Sequence, residues 1–449
     1  MRMSSPLVTS ASLVPRSVVG SRNFLLASMA SAGHVNPLRP IARALVERGH
    51  SVRWYTGEQY RATVEETGAR FVPMSQHPPR PGGEGLTGIA ALRFGIKHVF
   101  LDPAPAQVAE LRRVLAEEPA DALVAEIGVL GARMVHELTG VPWVSVGVAP
   151  LTIPSRDTAP FGLALPPSAT MVGRLRNRLL NVYLDRVLLR EVRAHRDTIL
   201  RRVGLPPARY PVFGGVVSPL LHLQTGIAEL EYPRSDLPAQ LHFVGALLEP
   251  PGRADLPSWA YEVEDATVPV VHVTQGTVAD GDLAALVLPT IQALADEDVL
   301  VVAGTGRHDP AGLGPLPANA RVAPFVPHGW LLPHTSVMVT NGGFGGVQVA
   351  LANGVPLVVA GATEDKPEVA ARVAWAGVGV NLRTNTPTPA GIRAAVRRVL
   401  GDVTYAARAQ AMRDAYGELD AGPDSAALIE ALADTRLPVT RRWASLART

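Results

Sequence analysis

Apolar residues in this chain recur as short runs separated by stretches of helical spacing, and that alternation covers most of its length. Phe24 to Ser28 predicts a strand, Pro37 to Arg48 a helix closed by Gly49, and Ser51 to Tyr55 a second strand. The rhythm continues with a helix over Val108 to Glu118 and a strand over Ala122 to Ala125 that ends at Glu126. A helix to about Thr139 and a strand from Trp143 to Val146 follow. Leu179 to Val203 reads as one long, arginine-rich helix, and Val216 to Leu223 and Leu241 to Leu247 as further strands. Beyond these come strands over Val268 to Thr274, Val299 to Ala303, Val337 to Thr340 and Leu357 to Ala360. Helical spacing runs from Val347 to Asn353, with Gly354 as its C-cap, and again past Thr388. Such repetition predicts an α/β fold of two doubly wound domains facing each other across a cleft.

The pattern breaks in three places. Gln76 to Phe100 opens on Pro-Pro-Arg-Pro-Gly-Gly-Glu-Gly and reads as a mobile loop over a cleft or as a plain surface insertion. Ala149 to Arg178 is loop-like and rich in Pro and Ser. Leu248 to Thr267 changes composition and reads as a linker. The expected division is an extension at 1–21, a first domain at 22–248, a linker at 249–267, a second domain at 268–420 and a helical tail at 421–449 that crosses back to the first domain.

Composition narrows the classes. A chain of 449 residues, 47% hydrophobic and 18% charged, has ample core for two domains. Its net charge of +2, with a pI near 9.0 and no dense basic block, does not imply a nucleic-acid partner. With no cysteine, disulfides, thiolate nucleophiles and cysteine metal sites are excluded. No apolar run approaches the roughly 18 residues of a membrane span, and Met1 to Ser21 lacks the ordered regions of a signal peptide. A cytoplasmic monomer or weak homodimer is expected.

Chemistry gathers at predicted strand ends. Asn341-Gly342-Gly343 turns the chain, and Gly345-Gly346 lets another molecule approach the backbone of the helix that follows. Such a turn offers free N–H groups and the positive end of a helix dipole, which suits a phosphate. Glu364-Asp365-Lys366 falls at the carboxyl end of the next strand, the edge where open α/β sheets bind ligands. His34 lies just past the first strand, in a small-residue turn without the GxGxxG of a nicotinamide site; it is either a catalytic group or a plain helix-start residue. Asp280-Gly281-Asp282 and Asp296-Glu297-Asp298 imitate a metal-binding Asp-x-Asp pattern but adjoin helix ends, where acids serve as caps.

The stretch from Asn341 to Lys366 resembles the signature of the nucleotide-sugar-dependent glycosyltransferases that include UDP-glucosyl, UDP-glucuronosyl and macrolide transferases. Asn341-Gly342-Gly343-Phe344-Gly345-Gly346, Ala350-Leu351, Gly354-Val355-Pro356 and Asp365-Lys366 follow that family's order and spacing. Asn341 stands where relatives carry a histidine, and Lys366 where they carry a glutamine. The resemblance implies the GT-B architecture, with His34 as catalytic base and Glu126 in place of the aspartate that supports it. It implies that Gly276, Thr277, Asn341, Gly342, Gly343, Gly345, Gly346 and Val347 hold the donor diphosphate. The segment Phe325, Val326 and His328 would hold the nucleobase, with Trp330 as an alternative stacking ring, while Glu364, Asp365 and Lys366 would hold the sugar. Phe161, Leu163 and Leu165 would wall a small hydrophobic acceptor. The implied reaction is inverting transfer of a hexose from a UDP- or dTDP-sugar to an acceptor hydroxyl, with no metal and no cofactor. A nucleotide-sugar epimerase of the same architecture and a non-catalytic nucleotide-sugar-binding homologue are the rival readings.

Overall fold

The computed structural model describes residues 20–75, 82–83, 85–248, 256–276, 283–306 and 308–441. Two all-parallel sheets carry the chain. The first holds β1 (Asn23–Ala27), β2 (Ser51–Thr56), β3 (Arg70–Pro73), β4 (Ala122–Glu126), β5 (Trp143–Gly147), β6 (Leu221–Gln224) and β7 (Leu241–Phe243). Their order is 3-2-1-4-5-6-7. The second holds β8 (Val270–Thr274), β9 (Leu300–Gly304), β10 (Ala320–Ala323), β11 (Val337–Thr340), β12 (Leu357–Val359) and β13 (Gly379–Asn381), in the order 10-9-8-11-12-13. The central strands are buried along their whole length because helices cover both faces, so they read as unbroken apolar runs.

In each sheet the strand order reverses once. The reversal falls between β1 and β4 in the first sheet and between β8 and β11 in the second. At such a point the loops leaving two neighbouring strands part to opposite faces and open a crevice. Register fixes what meets there. Ala27 pairs with Ala125, so the turn after β1 stands over Glu126. Thr274 pairs with Thr340, so Gln275 and Asn341 emerge side by side.

The helix Ala421–Thr435 returns to the first sheet and packs on the helix Arg39–Glu47. Glu430 anchors it by accepting from Arg48 at 2.6 and 2.5 Å and by pairing with His50 Nε2 at 2.7 Å. Further links between the halves lie near the cleft, including Gln348 Nε2 donating to Thr225 Oγ1 at 3.3 Å.

Several elements differ from the sequence reading. The long helix is two, Met171–Tyr183 and Arg190–Arg202, joined by a widened turn at Leu184–Leu188. Its start at Met171 escaped the sequence reading because Met171, Val172, Leu175 and Leu179 are all exposed, so apolar spacing does not mark its buried side. The described part of the presumed loop before Phe100 contains a helix, Gly88–Phe94, that continues into a wide turn at Gly95–Leu101. β3 and β10 were not anticipated, because Arg70 and Arg321 leave them no unbroken apolar run. Residues 1–19, the linker's residues 249–255, His77, Asp280-Gly281-Asp282 and 442–449 lie outside the described residues.

Candidate active site

His34 lies in a single helical turn, Ala32–Val35, directly after β1. Its Nδ1 is 2.8 Å from Glu126 Oε2 at the end of β4. Glu126 is 1% exposed and its oxygens also accept the backbone N–H groups of Met29, at 3.0 Å, and Gly128, at 2.7 Å. An ionised carboxylate only accepts, so Nδ1 carries the proton and Nε2 presents the lone pair. Burial opposes charge on His34. The attraction and hydrogen bond of Glu126, with a smaller pull from Asp365, outweigh it and raise the pKa above 6.5. Asp365 belongs to the other half of the molecule, so its charge reaches His34 across the boundary between the halves.

On the facing side, Gly342 turns the chain at φ +84, where an added Cβ would lie 2.7 Å from Val359 Cγ1. The helix Phe344–Ala352 then begins at Gly343 without a side-chain cap or an acid in its first turn. A Cβ at Gly345 would meet nothing within 4 Å, so the start of the helix is open to a bound group. Asn341 braces this turn. Its amide nitrogen donates to the Gln275 carbonyl and its Oδ1 accepts the Gly343 N–H at 3.3 Å. Gly276, at φ +83, follows β8 on the same edge. Gly361 lets the next loop pass close by, because a Cβ there would sit 2.1 Å from the Asn341 carbonyl oxygen. That loop brings Asp365 to the start of the helix Lys366–Ala376, and Lys366 pairs with Glu364, whose φ is +57. Burial raises the pKa of Asp365 against the lowering pull of Lys366.

A sequence profile described as "Erythromycin biosynthesis protein CIII-like, C-terminal domain" matches residues 287–433. A protein of Lentzea aerocolonigenes named 4'-demethylrebeccamycin synthase is 48% identical over 425 residues, covering 92% of this chain and 100% of that protein. UDP-glycosyltransferase 2 of Phaeomoniella chlamydospora is 35% identical, covering 92% of this chain and 96% of that one. The chain belongs to the nucleotide-sugar-dependent glycosyltransferases. The crystal structure of a kitacinnamycin glycotransferase superposes with a TM-score of 0.73 at 26% identity, covering 92% of this chain and 99% of that one. The two-sheet arrangement is the GT-B architecture of this family.

The remaining candidates of this glycosyltransferase fall as follows. Thr277 lies outside the described residues. Val347 is buried behind the glycine turn, and its N–H is taken by the Gly343 carbonyl at 3.0 Å. Gly346 stands in the helix's first turn. Phe325 is 66% exposed after β10, so it is not a core residue, whereas Val326 beside it is buried. Trp330 is held in place by Trp259 and by donation to Glu264 Oε1 at 2.9 Å, which engages both its ring and its N–H.

His328 has a partner that no motif signals. His272, fully buried in β8, donates from Nδ1 to the Val302 carbonyl at 2.9 Å, and its Nε2 lies 3.2 Å from His328 Nε2. Burial pushes His272 down to about 3, so it is neutral and its Nε2 accepts. His328 therefore donates from Nε2 and keeps Nδ1 as an acceptor. Asp296-Glu297-Asp298 is occupied structurally, since Glu297 pairs with Arg397 at 2.7 Å and with Arg393 at 3.4 Å. No cluster of three or more His, Cys, Asp or Glu fit to hold a metal ion occurs among the described residues, and none of the described helices is long and apolar enough to cross a membrane.

Proposed function

We propose that this glycosyltransferase moves a hexose from a UDP- or dTDP-sugar to a hydroxyl of a small apolar natural product or phenol, with inversion and without a bound metal. The observation that carries this reading is the His34–Glu126 pair, which feels the charge of Asp365 in the other half of the molecule. His34 Nε2 takes the proton of the acceptor O–H. The freed oxygen bonds to the anomeric carbon as the bond from that carbon to the diphosphate breaks, and its electron pair leaves with the diphosphate. Attack from the acceptor side with departure on the far side inverts the carbon.

Charge develops on the leaving diphosphate, and N–H groups at the start of the helix Phe344–Ala352, which has no side-chain cap, meet it with the helix dipole. Asn341 holds that turn in shape and has a second amide hydrogen to offer. Gly276 flanks the same phosphates. Glu364, Asp365 and Lys366 hold the sugar hydroxyls, and Phe325, Val326 and His328 the nucleoside. The relative named a 4'-demethylrebeccamycin synthase supports a natural-product aglycone as acceptor.

The test is a panel of UDP- and dTDP-sugars incubated with mixed phenolic and polycyclic aglycones and read by mass spectrometry. The expected result is an aglycone gaining one hexose with matching release of the diphosphate. An isomerised donor without glycoside would make the protein an epimerase, and an unchanged donor that still binds would make it a binding homologue.

A further inference from the structure

Between the two halves lies a buried ionic cluster outside the machinery described above. Glu368 is one turn beyond Asp365 on the helix Lys366–Ala376, and it is 4% exposed. Its Oε1 accepts two backbone N–H groups from the other half of the molecule, Gly162 at 2.7 Å and Ala164 at 2.8 Å. Its Oε2 pairs with Arg372 at 2.8 Å. Arg372 in turn donates to Glu231 Oε1 at 2.9 and 2.7 Å, again across the domain boundary.

The loop so gripped is an unusual one. Gly162 sits at φ +99, and Ala164, which has a side chain, sits at φ +50. A non-glycine residue is held in that region only when its surroundings dictate it. The two N–H groups converge on one oxygen because of these two conformations. Between and beside them are Phe161, Leu163 and Leu165, with both leucines exposed.

We propose that Glu368 is a positioning residue that sets the acceptor loop 161–165 against the donor sugar. Resting on the function proposed above, it makes one rigid helix carry both the sugar-holding Asp365–Lys366 at its start and the handle for the acceptor wall one turn later. Loop and sugar then move as a unit, and the acceptor hydroxyl is delivered to the anomeric carbon ahead of water. When the grip is lost, water takes the acceptor's place. Its proton still passes to His34, the same carbon–diphosphate bond breaks, and the products are free hexose and diphosphate.

Two substitutions separate the grip from the ion pair. Glu368→Gln keeps a carbonyl oxygen at the same reach for both N–H groups but loses the charge facing Arg372. Glu368→Asp keeps the charge but is one methylene too short for the loop. The readouts are acceptor KM, the ratio of glycoside to free hexose, and the Kd for UDP and dTDP in the full chain. Wild-type transfer on the donor panel first establishes the proposed reaction, so an inactive wild type counts against that reading and not against this one. With an active wild type, Glu368→Asp is expected to raise acceptor KM and lower the glycoside-to-hexose ratio by about tenfold, with diphosphate Kd unchanged. Glu368→Gln is expected to stay within about threefold of wild type in both. The reverse ranking, or an unchanged ratio in Glu368→Asp, would overturn the proposal. If Glu368→Asp does not fold, deuterium exchange of the 160–166 peptide decides. It must be as slow in Glu368→Gln as in wild type, and faster exchange there overturns the proposal.

Discussion

In the proposed reaction the two strand-reversal crevices do opposite kinds of work with the same fold. In the first, a side-chain pair carries the chemistry: one imidazole and one buried carboxylate at 2.8 Å, tuned by charge. In the second, chemistry is left largely to the backbone, with glycines at 342, 343, 345 and 361 clearing space around a helix start. The difference follows from what each must do. Proton abstraction needs a group that titrates near neutrality, which only a side chain provides. A diphosphate needs several fixed dipoles at close range, which main-chain N–H groups provide at little cost in side-chain ordering. Removing side chains should therefore hurt the first crevice, and adding them should hurt the second.

The largest effect is expected from His34→Ala. Turnover should fall by about 10²–10⁴-fold, the usual range for a general base, while UDP or dTDP binding stays within about twofold by calorimetry. A matching loss of donor binding would erase the distinction between the crevices. Next comes Gly361→Ala in the second. The new methyl group collides with the Asn341 carbonyl oxygen and sits 2.9 Å from Lys366 Cβ. It should force the glycine turn and the acidic loop apart, costing about 1–3 kcal/mol in thermal or denaturant unfolding and weakening diphosphate affinity. Wild-type affinity in a folded Gly361→Ala protein would mean that this edge does not hold the donor.

A smaller effect is expected at Asn341, a side chain that braces the second crevice. Asn341→Ala removes its bonds to Gln275 and Gly343, and diphosphate binding should weaken by about 1–2 kcal/mol. Asn341→His should bind at least as well as wild type, most visibly below about pH 6.5, where the imidazole carries charge. Calorimetry across pH on the three proteins checks both.

The contrast also explains what could be read from the sequence. Long buried runs and glycine turns are local, so β1, β4, β11 and the turn at Asn341 stood out, while His34 and Glu126, at the ends of β1 and β4, were singled out through the family resemblance. Helix boundaries failed where exposure and hydropathy disagree, as at Met171, which is 89% exposed on a helix whose inner face holds Asn177 and Gly173. The His272–His328 relay and the Glu368–Arg372–Glu231 cluster left no local signal. Arg372 and Glu231 are 141 positions apart, and on a helix Glu368 and Arg372 look like an ordinary i, i+4 surface pair. Only the packing of one half against the other turns them into a link.

The central claim, that Glu126 makes His34 the base, is tested most directly by the pH dependence of kcat/KM in wild type and Glu126→Gln. Folding raises the His34 pKa, so the stability contributed by its charged form is complete below about pH 6.5 and is lost as pH rises through the folded value. Activity runs the other way, because the base must be neutral. Wild type should therefore show an acidic limb with its midpoint above 6.5, the ordinary histidine value. In Glu126→Gln the attraction of Glu126 is gone and burial is opposed only by the smaller pull of Asp365, so the midpoint should move below 6.5 while the plateau rate falls. Coincident midpoints in the two proteins would contradict the account.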